Sequence, residues 1–366
     1  MLRVLYLINF AGKAGTERYV ETLIKKLKTD RIEPFLVYNI DGPLVEVAKE
    51  LGAKTFQITM KSPFDKKAAK ELAAICKAEK IDVVHAQFLR ENYIALFAKR
   101  KYPGIKVVYT MHFVMHNNPI IKFFNRRLAK NNHAMISVCN LGAKVLAENG
   151  NPAEKICVIN NGVDIKEWAT KTGATLKTEL QLQGETQLML CSARFAHDKG
   201  HKYLIDSIAV LKEQTKVPIC LALANDGPLF EEIKAYAEEK NLTDIVRFLG
   251  FRKDVKNLLD SCDIYVNSSE HEALSFNLVE ACAAEKPIIA TDMAGNSDIV
   301  NNKTNCGLLV EYNNPKSMAD AMKLLLEDVN LRNVYAKNAR LAAEKYFNLD
   351  TVASETYKIY LEGVNK

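Results

Sequence analysis

Residues 262–291 read CDIYVNSSEHEALSFNLVEACAAEKPIIAT and contain, in this order, an apolar run, a polar loop, a helix-length run and a second apolar run. Lys286 and Pro287 end the helix-length run, because proline cannot continue a helix. Two strands that are joined by a crossover helix lie parallel in one sheet. This stretch therefore predicts an α/β fold in which helices cover a parallel sheet on both faces.

The same alternation extends along most of the 366 residues. Strand-like runs in the first half are RVLYLI, PFLVYN, KTFQI, DVVHAQ, KVVYTMH and AMISVC; those in the second half are LMLCSAR, ICLALA, IVRFLG, CDIYVNS, PIIAT and GLLVE. A polar stretch over 165–184 separates the two series. Because a chain of this length exceeds the size of one hydrophobic core, we predict two doubly wound, Rossmann-like domains that face each other across a cleft.

The composition, with 48% hydrophobic and 26% charged residues, is that of an ordinary soluble globular protein. No apolar run approaches the ~20 residues that a membrane span requires. The N-terminal MLRVLYLINF has one basic residue and reads as a strand, not as a secretory signal, so we expect a cytoplasmic location. Eight cysteines without a C-x-x-C pair favour buried free thiols over disulfides or zinc ligands.

Positive charge is concentrated in the first half of the chain. Residues 1–165 hold 26 Lys and Arg against 15 Asp and Glu, a net charge of +11, and residues 166–366 carry −5. A basic half of the chain could bind nucleic acid, an anionic membrane surface or an anionic substrate. Since no Lys/Arg run is interleaved with aromatic residues and no zinc-finger or RNA-binding signature occurs, we expect no nucleic-acid partner.

The loops that follow strands are where function is expected, because ligands of doubly wound sheets bind at the carboxyl ends of the strands. The loop after the first strand contains Gly12 and Gly15 and opens a helix, whose backbone N–H groups could approach an anion. It lacks the G-x-G-x-x-G dinucleotide fingerprint. By itself this loop is better explained as a tight turn.

His112 directly follows an apolar strand, and His116 comes four residues later. Two zinc ligands could use this helical spacing, but no H-E-x-x-H glutamate and no third ligand is apparent. We therefore interpret His112 as a residue of the active cleft or as a capping residue, and we expect no metal.

Arg194 and Lys199 lie in the loop after the first strand of the second series, and Gly200 precedes the next helix. Two cations that project from one loop can clamp a diphosphate and stabilise the negative charge that develops on a nucleotide leaving group. A solvated charged loop is the alternative interpretation, and this loop alone favours neither.

Glu272 and Glu280 have seven residues between them, the first in a loop and the second in the early turns of a helix. That helix begins near Ser275, Phe276 and Asn277, whose N–H groups are expected to lack intrahelical partners and could bind phosphate. Carboxylates on the two sides of a bound diphosphate could accept hydrogen bonds from vicinal hydroxyls of a sugar and a ribose. Two glutamates at this spacing are common by chance, so the prediction rests on their combination with the helix start.

Together these motifs resemble glycosyltransferase family 4, whose members are retaining nucleotide-sugar enzymes with the GT-B fold. Glu272 and Glu280 match the family's E-x7-E motif, and SARFAHDKG is similar to its Arg…Lys-Gly diphosphate loop. GTERYV resembles the family's glycine-rich first loop, and VINNGVD resembles its link between domains. ANDGPLF and VRFLG resemble the stretch that leads into the strand before E-x7-E. The resemblance covers nearly the whole chain. Where the family often has glycine, this chain has Ala224, Ala273 and Ser275, which we interpret as tuning of donor preference.

The resemblance implies a role for each candidate residue. Arg194 and Lys199 would hold the donor diphosphate, Glu272 the sugar and Glu280 the ribose, while backbone groups of 249–254 would read the base. The residues implied for catalysis are His112, Arg194, Lys199 and Glu272. Those implied for donor binding are Gly15, Arg194, Lys199, Phe251, Arg252, Glu272, Ser275, Phe276, Asn277, Leu278 and Glu280.

The resemblance also implies an activity and a division of the chain. Residues 1–165 plus 347–366 would form an acceptor-side domain, and 166–346 the nucleotide-sugar domain. A hexose or N-acetylhexosamine would pass, with retention and without a metal or other cofactor, from a nucleoside-diphosphate sugar to a glycan or lipid-linked saccharide in cell-surface polysaccharide biosynthesis. A UDP-sugar is the favoured donor.

Two alternatives stay open at this point. One is another GT-B activity, either a sugar-nucleotide epimerase or a phosphorylase. The other is a catalytically silent, membrane-associated scaffold, which has little support because a silent relative is expected to lose some of the residues that this chain keeps. Those residues are His112, Arg194, Lys199, Glu272 and Glu280.

Residues 119–130, PIIKFFNRRLAK, are both basic and apolar. A basic amphipathic helix of this kind could lie on an anionic membrane and present a lipid-linked acceptor. The alternative is a helix that packs on the core and leaves its basic face in water. The net charge of +11 in the first half slightly favours the membrane surface, which would place the protein on the inner face of the cell membrane.

Overall fold

A computed structural model describes residues 1–28 and 31–363 of the chain. The chain divides into two compact units. Unit 1 combines Met1–Asn161 with the C-terminal segment that begins at Leu349, and unit 2 is Gly162–Asn348. Each unit is built around its own parallel sheet.

Unit 1 contains a parallel sheet of seven strands among its described residues. The strands are β1 (Leu2–Phe10), β2 (Ile32–Ile40), β3 (Lys54–Gln57), β4 (Val83–Ala86), β5 (Lys106–Met111), β6 (Ala134–Ser137) and β7 (Ile156–Val158). Their order in the sheet is β3-β2-β1-β4-β5-β6-β7. The strand-like runs of the first half correspond to β1 to β6, and the short β7 was not among the predicted strands.

Helices cover this sheet. In the first 161 residues they are α1 (Gly15–Leu27), α2 (Pro43–Glu50), α3 (Lys66–Ala78), α4 (Leu89–Lys101), α5 (Pro119–Leu128) and α6 (Asn140–Glu148). Val4, Leu5, Leu7 and Ile8 of β1 have no solvent exposure. A strand covered on both faces has no polar side, which explains why β1 reads as a continuous apolar run and does not alternate.

Unit 2 repeats this architecture with six parallel strands among its described residues. They are β8 (Gln187–Ser192), β9 (Ile219–Ala224), β10 (Val246–Gly250), β11 (Ile264–Asn267), β12 (Ile288–Thr291) and β13 (Gly307–Val310), in the order β10-β9-β8-β11-β12-β13. Its helices are α7 (Ile165–Ala169), α8 (Leu176–Glu179), α9 (His201–Gln214), α10 (Phe230–Glu239), α11 (Val255–Ser261), α12 (Phe276–Ala283), α13 (Ala294–Ile299), α14 (Pro315–Glu327) and α15 (Val329–Tyr346). The structure confirms the predicted fold class of Rossmann-like parallel-sheet domains.

The strand order places one ligand crevice in unit 2. Strands β9 and β10 lie on one side of β8, and β11 to β13 lie on the other, so the winding direction reverses between β8 and β11. In open α/β sheets ligands bind at such a switch point, outside the carboxyl ends of the strands. The loops at this point are 193–200 after β8 and 268–275 after β11.

All eight cysteines are free thiols, of which seven are buried and Cys157 is half-buried. Within residues 1–28 and 31–363, no helix combines the length and the apolar character that crossing a bilayer needs.

The last helix, α16 (Leu349–Glu362), belongs to unit 1 and packs against α1. Its Tyr360 hydroxyl lies 2.8 Å from Nδ1 of His85, whose Nε2 lies 2.6 Å from the Thr110 hydroxyl. Lys106 Nζ donates to the carbonyl oxygens of Tyr360 at 3.0 Å and Leu361 at 2.7 Å, where the helix dipole favours a cation. The buried hydrogen bonds of His85 and the contacts of Lys106 thus join the C-terminal helix to β4 and β5 within unit 1.

Burial of His85 makes unit 1 sensitive to acid. Desolvation lowers the pKa of His85 from 6.5 to about 3, so the folded state keeps this ring neutral while the unfolded state binds a proton below pH 6.5. The stability that the neutral His85 ring contributes is therefore fully present above pH 6.5 and is lost as the pH falls toward 3. We expect His85→Gln to destabilise unit 1, but by about 1.4 kcal/mol less at about pH 5.5 than at about pH 7.5.

Native-state hydrogen exchange of the β1 and β4 amides measures this difference. His116→Gln is the control, because the His116 side chain is 66% exposed. This variant keeps His85, so its stability should fall at low pH as that of wild type does. A constant or growing deficit for His85→Gln at low pH would contradict the account.

Candidate active site

Two loops of unit 2 bring opposite charges together at the switch point. Lys199 Nζ lies 3.0 Å from Oε1 of Glu272 and 3.1 Å from Oδ2 of Asp198. The Lys199 and Glu272 side chains are only 18% and 16% exposed. Burial lowers the pKa of Lys199, but the two carboxylates outweigh it and raise that pKa above its ordinary value. Lys199 therefore remains a cation in a largely desolvated site.

Backbone and serine contacts hold this pair in place. Ser269 Oγ donates to Oε1 of Glu272 at 3.0 Å, and Ser268 Oγ donates to the Lys199 carbonyl oxygen at 2.8 Å. Gly200 adopts a left-handed φ of 64°, and a Cβ on it would lie 2.1 Å from the Ser268 carbonyl oxygen. The Lys-Gly sequence is thus explained by a close approach of the two loops that only glycine permits.

Arg194 projects from the same loop and is exposed. It makes no hydrogen bond or ion pair with any residue in the described part of the chain. Its backbone is nevertheless fixed, because the next residue, Phe195, donates its N–H to the Asp226 carbonyl at 2.9 Å and stacks on the His201 ring at 4.2 Å. A Cβ on Gly227 would lie 2.5 Å from the Phe195 carbonyl oxygen. Arg194 is therefore a positioned cation that is available for an anion.

The helix α12 begins beside this cluster. Ser275 is its buried N-cap residue, and the Asn277 side-chain amide donates to the Ser192 carbonyl oxygen at the end of β8. Phe276 is half-buried and Leu278 is fully buried. Glu280 is 4% exposed. The helix α12 thus directly follows the loop that contains Glu272, and Asn277 ties its first turn to the end of β8.

The predicted base-binding stretch, 249–254, follows β10. Phe251 is 53% exposed, whereas the Arg252 guanidinium is held by Glu179 and Asp254. The Asn225 N–H donates to the Gly250 carbonyl oxygen at 2.8 Å. The Arg252 side chain is therefore engaged within the protein.

Unit 1 holds two further candidate residues, His112 and Gly15. His112 follows β5, and its Nε2 lies 2.9 Å from Oε1 of the fully buried Gln87. An amide oxygen can only accept, so Nε2 is assigned the proton. Burial lowers the pKa of His112 to about 3, which keeps the ring neutral. Gly15 is the exposed first residue of α1, and the N–H of the preceding Ala14 donates to Oε2 of Glu17 at 3.0 Å.

The spacing of His112 and His116 does not reflect a helix, since the segment between β5 and α5 is irregular. His116 lies 3.6 Å from the Glu148 carboxylate at the surface. Across residues 1–28 and 31–363, no three His, Cys, Asp or Glu side chains are grouped as metal ligands.

The structure thus brings Lys199, Glu272 and the start of α12 to one edge of unit 2, and it places His112 and Gly15 in unit 1. Whether these residues bind a sugar donor stays a prediction. The sequence reasoning missed Ser269 and Gln87, which fix the orientations of Glu272 and His112. Their position directly after β11 and β4 was an available signal, but serine and glutamine have no distinctive chemistry in a sequence.

Comparisons with known proteins identify the kind of enzyme. Residues 174–342 match the family model for glycosyl transferases group 1, and residues 14–167 match the model for glycosyltransferase family 4. The chain is 24% identical over 367 residues to an Escherichia coli UDP-Gal:alpha-D-GlcNAc-diphosphoundecaprenol alpha-1,3-galactosyltransferase, covering 96% of this chain and 94% of that protein. It is 27% identical over 378 residues to a Campylobacter jejuni N,N'-diacetylbacillosaminyl-diphospho-undecaprenol alpha-1,3-N-acetylgalactosaminyltransferase, covering 96% and 98%.

Solved structures agree in fold. The chain superposes on Anabaena HepE in complex with UDP with a TM-score of 0.86 at 21% identity, covering 98% of this chain and 99% of that one. A Rickettsia africae glycosyltransferase gives a TM-score of 0.88 at 23% identity, with 99% and 98% covered. Both halves of the sequence match enzymes of one kind along their whole length, and the protein belongs to glycosyltransferase family 4, with the GT-B fold.

Proposed function

We propose that this glycosyltransferase moves a hexose or N-acetylhexosamine, with retention, from a nucleoside-diphosphate sugar to a glycan or lipid-linked saccharide in cell-surface polysaccharide biosynthesis. The observation that carries the proposal is the Lys199–Glu272 contact of 3.0 Å beside the exposed Arg194. This arrangement offers two cations for a diphosphate and a carboxylate for sugar hydroxyls.

We favour UDP-sugars as donors. The E. coli relative is named for UDP-Gal, and the Anabaena HepE structures contain UDP and UDP-glucose. Backbone reading of the base by 249–254 is compatible with uracil. The proposed mechanism needs no metal, because Arg194 and Lys199 already supply two positive charges to the diphosphate.

In the proposed reaction, the bond between the sugar C1 and the diphosphate oxygen breaks, and a bond from C1 to the acceptor oxygen forms on the same face. The acceptor proton passes to the departing diphosphate. Arg194 and Lys199 stabilise the negative charge that grows on the diphosphate, and the effect of Lys199 is strong because its side chain is largely desolvated. Lys199 would exchange its contact with Glu272 for the diphosphate. Glu272 could then accept hydrogen bonds from the sugar.

The remaining candidates would orient the donor. Glu280 would accept a hydrogen bond from the ribose. His112 is neutral, so the role that we propose for it is a hydrogen bond to the transferred sugar and not a charge effect. The small residue Gly15 would let the start of α1 approach the donor phosphate.

We also propose that unit 1 docks on the cytoplasmic face of a membrane that carries a lipid-linked acceptor. Large apolar side chains are exposed on α5 and the segment before it: Phe113 by 65%, Met115 by 65%, Ile120 by 69% and Phe123 by 49%. Asn149 anchors that segment, since it accepts from the Asn117 N–H at 2.8 Å and donates to the Met115 carbonyl at 2.9 Å.

The basic residues of the same helix region are Lys122, Arg126, Arg127 and Lys130. Exposed apolar groups beside cations suit an anionic lipid surface, and both curated relatives described above are named for diphosphoundecaprenol-linked saccharides.

Arg194→Ala should lower kcat by a factor of about 10²–10³, because it removes a charge that is most favourable in the transition state. Steady-state turnover of UDP-sugars with a lipid-linked acceptor measures this. Lys234→Ala, at an exposed cation of α10, is the control and should turn over like wild type. Wild-type kcat in Arg194→Ala would exclude the diphosphate role.

Glu280→Ala should mainly raise the KM for the donor, by about tenfold, with kcat largely preserved, because a ribose contact is equally strong in the ground and transition states. The same assay separates the two parameters. A drop in kcat at saturating donor would show that Glu280 acts on the chemical step and not on binding.

A UDP-sugar in the presence of chelator should raise the apparent stability of the protein, by about 2.7 kcal/mol at a concentration of about 100 Kd. Thermal unfolding with UDP-, GDP-, ADP- and dTDP-sugars measures the shift and ranks the donors. A shift that appears only after a divalent metal is added would contradict the metal-free proposal.

Removal of the four cations of α5 and its end, Lys122, Arg126, Arg127 and Lys130, should abolish binding to anionic phospholipid vesicles in a sedimentation assay. The matched control replaces four exposed lysines of α3, namely Lys66, Lys67, Lys70 and Lys77. That control should bind vesicles nearly as wild type does. Equal loss in both variants would indicate a non-specific effect of net charge, and unchanged binding in the first would leave α5 as an ordinary packed helix.

A further inference from the structure

The guanidinium of Arg252 is almost fully used inside the protein. NH1 and NH2 donate to the two oxygens of Glu179 at 2.6 and 3.0 Å, while Nε and NH2 donate to the two oxygens of Asp254 at 2.8 and 2.8 Å. These bonds occupy four of the five N–H donors of the side chain. Two carboxylates also outweigh its single positive charge, so Arg252 is not available to attract a diphosphate.

Glu179 is distant from Arg252 in sequence, since the two residues are 73 positions apart. It ends α8, in the polar segment that precedes the sheet of unit 2. The bond therefore connects two separate segments, whereas the bond to Asp254 is local. A bidentate contact between a guanidinium and a carboxylate fixes both the distance and the plane of the two groups.

The rest of the segment 170–179 is bound to α11, the helix that begins directly after 249–254. The Thr172 N–H donates to Asp260 at 2.7 Å, the Thr175 N–H to Asn257 at 2.9 Å, and the Leu176 N–H to the Ser261 hydroxyl at 3.1 Å. Lys256 Nζ donates to the Thr170 carbonyl oxygen. Leu176 is fully buried. This segment is thus a strap that holds α11 along its length and holds the preceding loop through Glu179.

The other end of the loop is also fixed. Gly250 has a left-handed φ of 63° and accepts a hydrogen bond from the Asn225 N–H at 2.8 Å. Phe251, the residue between the two attachments, is 53% exposed. The loop is therefore held at Gly250 and at Arg252, on both sides of the exposed Phe251.

From these contacts we infer that Glu179 is a positioning residue for the nucleotide base, which acts through Arg252 to hold the backbone of 249–254 in its binding conformation. The inference rests on the proposed function. The ligand class that this loop recognises is a nucleoside, through backbone hydrogen bonds and contact with Phe251, and not a phosphate. The strap 170–179 is in this account part of the donor site.

A second ion pair of unit 2 provides a matched control. Arg340 Nε lies 2.7 Å from Glu344, and these side chains are 20% and 46% exposed, the same fractions as those of Arg252 and Glu179. Arg340 and Glu344 both lie within α15, and an exposed pair of this kind contributes little to stability. A general effect of losing one carboxylate should therefore appear equally in Glu344→Gln and Glu179→Gln.

The test measures the Kd of uridine and of UDP by calorimetry, and KM and kcat for the UDP-sugar, in full-length wild type, Glu179→Gln and Glu344→Gln. We expect Glu179→Gln to weaken uridine and UDP by the same factor, about tenfold, because the lost contact orders the base loop and not the phosphate site. KM for the donor should rise by that factor, with kcat preserved at saturation. Glu344→Gln should match wild type in every parameter.

Arg252→Lys distinguishes positioning from charge, because lysine keeps the charge but cannot make the bidentate contact. It should show the same weakening as Glu179→Gln, and the double variant should be no weaker than either single one. Wild-type affinity in Glu179→Gln, an equal loss in Glu344→Gln, or a loss confined to kcat would each overturn the inference. If wild type itself bound neither UDP nor any other nucleoside diphosphate, the proposed function would fail and the inference with it.

Discussion

The ion pair between Lys199 and Glu272 is the interaction on which the proposed chemistry of this protein depends. It exists because the winding of unit 2 reverses between β8 and β11, which brings together two loops that are 73 positions apart in sequence. Each charge is largely desolvated and each needs the other while no donor is bound. In the proposed function, a diphosphate that takes over Lys199 would leave Glu272 ready for sugar hydroxyls, so that binding of the two parts of a nucleotide sugar would be coupled.

Much of the fold was predictable because parallel strands covered on both faces are continuous apolar runs. All six strands of unit 2 and six of unit 1 correspond to predicted runs, although the edge strand β3, Lys54–Gln57, is largely polar and has no buried residue. The exception is β7, whose residues Ile156, Cys157 and Val158 are only half-buried at the sheet edge and too few to form a pattern. The link between His85 and Tyr360 was also invisible, because it joins positions that are 275 apart through side chains that have no periodicity.

The candidate site was predictable only where a residue type has a distinctive chemistry. Arginine, lysine and paired glutamates after strands indicated a diphosphate and hydroxyl site, and the structure places Lys199 and Glu272 in direct contact. It could not be foreseen that Arg252 is neutralised by Glu179, since a salt bridge between two segments depends on tertiary geometry. The same holds for Ser269 and Gln87, whose importance comes from the groups that they orient. Residues that only orient the candidate binding side chains are therefore harder to predict from the sequence than the binding side chains themselves.

The exchange of partners by Lys199 is the central claim, and a crystal structure with a non-transferable UDP-sugar analogue tests it most directly. The account predicts that Lys199 Nζ lies within hydrogen-bond distance of a diphosphate oxygen, that Arg194 contacts the same diphosphate, and that Glu272 accepts from a hydroxyl of the sugar. A bound analogue whose diphosphate lies away from Lys199, with the contact of 3.0 Å to Glu272 intact, would contradict it.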